Sequence, residues 1–381
     1  MTQHKLNWFN ITFFSLYTSA LFIFLPVYLW FYQPSALLLI LTFITFVISG
    51  LGVTAGYHRY FSHQCFNTNA FVESCFLVAG TLGTVNSALM WSHDHRLHHR
   101  YVDQERDPYN FQKGFFWAHI GWVMTDEIEY QPKIVQDLTR NPRVVWQHKF
   151  YLPLTIAANL LSILSAGYLC NDYFGATVFV FLLRLFCLHH CTFAINSFAH
   201  YIGSQPFSST SSAVNNWIVS LFTFGEGNHN YHHEFSYDYR NGPLWFNFDP
   251  TKWLIWALNK VGLVTHLKRV DSYKFYKAML NQRTDKLLSM IDKKYAIRGD
   301  FQKLLILRVN QKSLELNQKI EELRETVLVY NRLRKEWLAN QASFPMITQE
   351  RLKTMKRILK THRTQFKLMY KHFHMNQLLV S

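Results

Sequence analysis

Four long apolar stretches decide most of what this 381-residue chain can become. They run from roughly Phe9 to Trp30, Ala36 to Ala55, Leu152 to Cys170 and Ala176 to Ala199. Each comes close to the roughly 20 apolar residues that an α-helix needs to cross a hydrocarbon core. Hydrocarbon offers no partner to a peptide N–H, so such a segment must satisfy its own backbone as a helix. The expected fold is an all-α membrane protein with four transmembrane helices. With 33 Phe, 20 Tyr and 11 Trp and only 17% charged residues, the composition suits a lipid-facing body with interfacial aromatic belts. The first stretch lacks a strongly basic leader and a small-residue cleavage site, so it is expected to remain as a span. The five cysteines form no CxxC pair, which fits reduced or packed thiols.

Charge sets the expected orientation. The links Tyr32 to Ser35 and Asn171 to Gly175 carry no Lys or Arg, whereas Tyr57 to Phe150 carries nine and the chain from Thr251 onward carries 27. The positive-inside rule then places both termini and the long middle segment in the cytoplasm of an integral, multi-pass protein. The net charge of +15 comes from the tail. Two more apolar runs, Phe76 to Met90 and Val214 to Phe224, are too short or too rich in Gly, Ser and Asn to cross. They are expected to lie at the interface as amphipathic helices.

Each of these runs leads into histidines. "HRYFSH" supplies His58 and His63, "HRLHH" supplies His95, His98 and His99, and "HNYHH" supplies His229, His232 and His233. His200 closes "NSFAH" at the end of the fourth stretch, one helical turn after Asn196. All nine histidines fall at one predicted depth, where a buried imidazole needs water or a metal. Spacings of three and four let one helix face offer two or three imidazoles. Neutral imidazole suits iron, zinc and copper. Nine nitrogens exceed what one tetrahedral zinc takes, so a dinuclear centre is expected, with iron favoured for oxidative chemistry. Asp94, Asp107, Glu226 and Asp238 are candidates to hold these imidazoles through their other nitrogens.

With those motifs in order, and with the flanking "LGVTAGYHR" and "SYDYRNGPLWFNFDPTKW", the chain resembles the membrane-bound acyl-CoA desaturases of the stearoyl-CoA, delta-9 type over about residues 10 to 270. The resemblance implies four membrane helices with a cytoplasmic helical cap, a histidine-box diiron (Fe2+) site, and O2-dependent insertion of a cis double bond into a saturated fatty acyl thioester, most simply acyl-CoA. It makes His58, His63, His95, His98, His99, His200, His229, His232 and His233 the iron ligands and catalytic set, with Asn196 reaching a metal through water. It matches Asn86, Trp91 and Asp94 to positions that touch the acyl-CoA head group and pantetheine. The chain departs from the pattern at His93, and at Asp126 and Glu127, where relatives carry basic residues. Carboxylates repel phosphate, so another acyl thioester or a lipid-bound acyl chain is an alternative substrate. A histidine-box hydroxylase or monooxygenase, or more remotely a membrane metal transporter or sensor, is the competing function.

The expected domains are 1–270, a membrane-embedded desaturase body, and 271–381, a basic extension. Leu316, Ile320, Leu323, Val327 and Tyr330, then Leu352, Met355, Leu359, His362, Phe366, Met369 and Phe373, repeat at four-three spacing around a turn at Pro345. That pattern predicts a helical hairpin or short coiled coil. No haem-binding His-Pro-Gly-Gly or dinucleotide fingerprint occurs in the sequence, so electrons are expected from a separate donor, such as ferredoxin or cytochrome b5 with its reductase. No nucleic-acid motif is present. Arg184 inside the fourth stretch is expected to have a buried partner, and His189 and His190 to pack or hydrogen-bond.

Overall fold

The computed structural model describes residues 5–125, 128–295, 299–339 and 346–375. Four helices are long and apolar enough to cross a membrane: Trp8–Phe31, Ala36–Ser62, Tyr151–Cys170 and Tyr173–His200. Asn7 caps the first, accepting from the Asn10 N–H at 2.9 Å, and Ser35 caps the second, accepting from Leu38. Asn171 ends the third in the left-handed conformation that terminates helices (φ 51°). Phe22, Trp30, Phe43, Leu161 and Tyr168 point outward, as side chains facing hydrocarbon do. Tyr28, Leu38, Ala166 and Phe179 pack between the helices.

The second helix runs past its expected end at Ala55 to Ser62, whereas the fourth, Tyr173–His200, keeps close to its expected bounds. Helix α1 is Trp8–Phe31, and α2, Ala36–Leu51, continues without a break as π-helical turns over Gly52–Ser62. His58 therefore sits inside this helix, not beyond it. Helix α3 spans Ala70–Leu82 and α4 spans Ala88–Tyr101. The single interfacial helix expected over Phe76 to Met90 is thus two helices. Thr84 and Asn86 take positive φ (54° and 79°) between them, and the Ser87 hydroxyl caps α4. Buried Val72, Phe76 and Leu77 pack α3 into the core beside Tyr57 and Phe61. Helix α5 is Pro142–Lys149, α6 is Tyr151–Cys170, and α7, Arg184–Ser197, completes the fourth long helix after a π-helical stretch, Ala176–Leu183. The second expected interfacial helix shrinks to α8, Trp217–Phe222, followed by α9, His229–Glu234, and α10, Pro250–Lys260. A two-residue ladder, Asn67–Thr68 with Val264–Thr265, ties the cap together.

Arg184 is buried as expected, donating to the Leu82 carbonyl at 2.7 Å and to Asn159 Oδ1. His189 bonds Tyr17 and the Gly83 and Thr84 carbonyls, and His190 meets His119. Lys252 points its ammonium into the loop that precedes its own helix, where it donates to the carbonyls of Gly242 (2.7 Å), Leu244 and Asn247 (both 3.2 Å). The tip of that loop exposes Trp245 and Phe246.

Two compact units emerge: residues 1–205 with 209–269, and residues 206–208 with 270–381. The second holds three helices, α11 (Ser272–Tyr295), α12 (Gly299–Ala339) and α13 (Met346–Met375), around Leu280, Leu287, Leu316, Ile320, Phe366 and Phe373. Thr284 meets Ser313 and Thr326 meets His362, so α12 runs antiparallel to both neighbours. The unit thus holds the two striped segments as α12 and α13, with α11 packed against them. Two stripes alone would leave a groove, which Leu280, Leu287 and Ile291 of α11 fill; Val327 and Tyr330 are only half-buried. Pro345 and its turn, like Asp126 and Glu127, lie outside the described residues.

Candidate metal centre

The nine histidines converge into two groups. His58, His63, His95, His99 and His232 form the first; His98, His200, His229 and His233 form the second, with ligand atoms in each lying within 4.8 Å of one another. The two groups share helices. On α4, His95 and His99 turn to the first group, while His98 is offset from His99 by about 100° and turns to the second. On α9, His232 joins the first group and His229 and His233 the second. Each of these two helices thus divides its imidazoles between the two groups.

The His58/His63 pair needs the widened helix. Residues five apart on an α-helix point about 140° away from each other. Here the His63 N–H bonds the His58 carbonyl at 3.1 Å, a five-residue ring that stacks one residue over the other and brings their rings to 4.9 Å.

Second nitrogens fix several rings. His58 Nδ1 lies 2.9 Å from Glu226 Oε2, and Glu226 is gripped on its other oxygen by Arg59 at 2.8 Å. His98 Nδ1 lies 2.8 Å from Asp107 Oδ1. A carboxylate only accepts, so both rings carry their hydrogen on Nδ1 and turn an Nε2 lone pair inward. Burial pushes the Glu226 carboxyl up, but Arg59 and His58 outweigh it and hold it below the usual carboxylate range. Asp94 and Asp238 do not share this role. Asp94 pairs with His93 at 2.9 Å, and Asp238 accepts from Tyr231 and Arg240. Sequence reasoning missed Asp103 and Ser212, which stand behind His200: its Nδ1 lies 2.7 Å from Ser212 Oγ, itself 2.5 Å from Asp103 Oδ1. The i,i+4 pair Asp103/Asp107 after the second histidine box was the available signal, while Ser212 lies in a serine-rich loop that carries none.

The inward nitrogens meet each other. His63 and His95 Nε2 are 2.8 Å apart, His99 and His232 2.9 Å, His58 and His232 3.0 Å, and His98 and His233 3.2 Å. His200 Nε2 is buried with no hydrogen-bond partner. Burial, then neighbouring imidazoles, hold His63, His95, His99, His229, His232 and His233 well below the usual imidazole value. Neutral rings with lone pairs facing one another repel unless a cation lies between them. The residues thus fit a pair of metal ions in all-nitrogen sites, and that donor type suits iron.

A cavity of about 900 Å³ opens onto this centre. His58, His95, His229 and Asn196 contribute to its wall, and Phe13, Val53, Ile156, Ile163, Phe181 and Leu188 carry it between the long helices. Asn86, Trp91 and Asp94 also line it, Trp91 stacking on His95 at 4.9 Å. Among the described lining residues there are two carboxylates, Asp94 and Glu226, and no Lys or Arg.

Residues 32–241 match the fatty acid desaturase family model. The probable acyl-CoA desaturase of Schizosaccharomyces pombe is 42% identical over 248 residues, 64% of this chain and 52% of that protein. Acyl-CoA desaturase 1 of Saccharomyces cerevisiae is 37% identical, with 48% of its length covered, so the chain spans about half the length of these two relatives. The sn-1 stearoyl-lipid 9-desaturase of Anabaena variabilis is 32% identical over 274 residues, 71% of this chain and 97% of that protein.

Proposed function

This chain belongs to the fatty acid desaturase family, and from that premise we propose that it is an O2-dependent desaturase that inserts a cis double bond, at the delta-9 position, into a saturated fatty acyl thioester, acyl-CoA above all. The family implies iron, and the residues that would hold it are His58, His63, His95, His99 and His232 at one position and His98, His200, His229 and His233 at the other, with Asn196 reaching a metal through water. Iron supplies an oxidant made from O2, which no acid or base side chain can provide for an unactivated methylene. Overall, two C–H bonds break, O2 takes those two hydrogens with two electrons and two protons, and two waters leave. The electrons come from a separate donor protein, such as ferredoxin or cytochrome b5 with its reductase.

The observation that carries this reading is the cavity, which brings an apolar passage between membrane helices to the buried imidazoles. A long alkyl chain lying there is held away from water, with one C–C bond beside the centre. Trp91, stacked on His95, shapes the passage where it meets the centre. Glu226 and Asp107 keep the hydrogen of each bonded imidazole on Nδ1, away from the reacting atoms. The site, both termini and the segment between the second and third spans lie on the cytoplasmic side, in keeping with the positive-inside bias. Residues 1–270 act as the catalytic body and 271–381 as an accessory.

One observation favours a second substrate: the described cavity wall offers no cation to the phosphates of CoA. An acyl-lipid substrate is therefore the alternative. Expression in a host lacking its own desaturase, followed by gas chromatography of total fatty acids and location of the double bond, tests the reaction. Hydroxy fatty acids, or no unsaturated product in a host with a working donor, overturn it. Incubation of membranes with labelled acyl-CoA, with acyl transfer to lipid blocked, separates the two substrates.

A further inference from the structure

His200 is the one imidazole of the second group that comes from the end of a membrane span, and its orientation is set from outside that helix. Its Nδ1 lies 2.7 Å from Ser212 Oγ. Ser212 Oγ lies 2.5 Å from Asp103 Oδ1, and the Ser212 N–H donates to Asp103 Oδ2 at 2.6 Å. The direction of this chain is forced. A carboxylate has no hydrogen to give, so the Ser212 hydroxyl donates to Asp103 and must accept from His200 Nδ1–H. His200 is then left with a bare Nε2 lone pair, on the buried atom that has no partner.

Asp103 is itself constrained. It takes positive φ (63°), unusual for a residue with a side chain, and its N–H donates to Asp107 Oδ2 at 3.0 Å. Asp107 uses its other oxygen on His98 Nδ1. One short loop after α4 thus orients two imidazoles, His98 directly and His200 through a hydroxyl, and both belong to the second group. The first group has its own brace in Glu226.

We propose that Asp103 and Ser212 are positioning residues for His200, and that the Asp103–Asp107 loop builds the second metal position separately from the first. This rests on the reading of the nine histidines as a two-metal centre. Groups that orient a ligating histidine typically change metal affinity by about 10–100-fold when removed. The test uses the purified full chain, loaded with iron and dialysed against a chelator at a concentration that leaves the wild type with two metals. Ser212→Ala and Asp103→Asn are expected to fall toward one metal per chain, with an unchanged thermal midpoint of the metal-free protein. Ser212→Thr, which keeps the hydroxyl, is expected to retain the second metal. Two retained metals in both variants, loss of both metals together, or failure of the threonine variant to hold its second metal overturns the proposal alone. A wild type that never holds two metals overturns the two-metal reading and this proposal with it.

Discussion

On the proposed two-metal reading, replacing Glu226 with Gln isolates what a single charge does for the first metal position. Glu226 is buried, and its two oxygens face different donors. One accepts from Arg59 at 2.8 Å, and the other is shared by His58 Nδ1 at 2.9 Å and the Asn241 amide. An amide has only one oxygen, so in Glu226→Gln one of these two sets must face an NH2 group. If the amide nitrogen faces His58, the ring must accept on Nδ1 and carry its hydrogen on Nε2, the atom needed for metal. If it faces Arg59, two donors oppose each other, although Asp249 still holds the guanidinium at 2.9 Å. A buried donor left unmatched costs about 1–3 kcal/mol, and loss of a carboxylate that orients a ligating histidine weakens metal binding about 10–100-fold, equivalent to about 1.4–2.7 kcal/mol. The expected result is therefore a drop of one to two decades in the affinity of one of two metals, with the second position near its wild-type value. Competition against a graded series of chelators, read as metal per chain, measures it. Wild-type affinity at both positions would mean that Glu226 is a structural partner of Arg59 alone.

Three other expectations follow from the same contacts. Gly80→Val should destabilise the body by about 1–3 kcal/mol, because a Cβ at Gly80 would stand 2.2 Å from the ring of fully buried Tyr57; an unchanged melting temperature would show that the two helices can part. Burial raises the Glu73 carboxyl, but Arg143, Asn141 and Tyr60 outweigh it and lower it below its ordinary value. Its ionised form thus adds stability above the unfolded carboxyl value and loses it as pH falls through the lower folded value, so the melting difference between wild type and Glu73→Gln should hold near neutrality and close below about pH 4.5. A difference that stays constant into acid refutes that account. Truncation after Arg269, ahead of α11, should leave metal content and turnover with a chemical reductant within a few-fold of the full chain. With the protein donor the deficit should shrink as salt rises; a loss above about 90% with the chemical reductant would mean that the tail completes the site.

The legible part of the fold was the part set by solvent. Hydropathy over the length of a hydrocarbon core gave four spans to within a few residues, except where α2 continues into the π-helical turns that place His58 and His63. Hydropathy cannot register a change in hydrogen-bond ring size, so the five-residue stacking of His58 and His63 was invisible. Periodicity identified the histidines but could not say that neighbours such as His98 and His99 serve different positions, because that depends on what stands around the helix. Asp107 and Glu226 were readable as carboxylates near histidine boxes. Asp94 and Asp238 looked the same and do otherwise. Ser212 and Asp103 meet only through tertiary structure, more than a hundred residues apart. In the tail, the stripes of α12 and α13 stand out in the sequence, whereas the shorter apolar stripe of α11 does not.

Lys252 gives the loop around it an unusual independence. Carbonyl oxygens converging on a cation also build the oxygen cages that hold calcium in loops. Here the cation is covalently attached, so it cannot be exchanged, diluted or chelated. Stripping metal from the histidines should therefore leave the Gly242–Asn247 loop and its outward Trp245 and Phe246 in place.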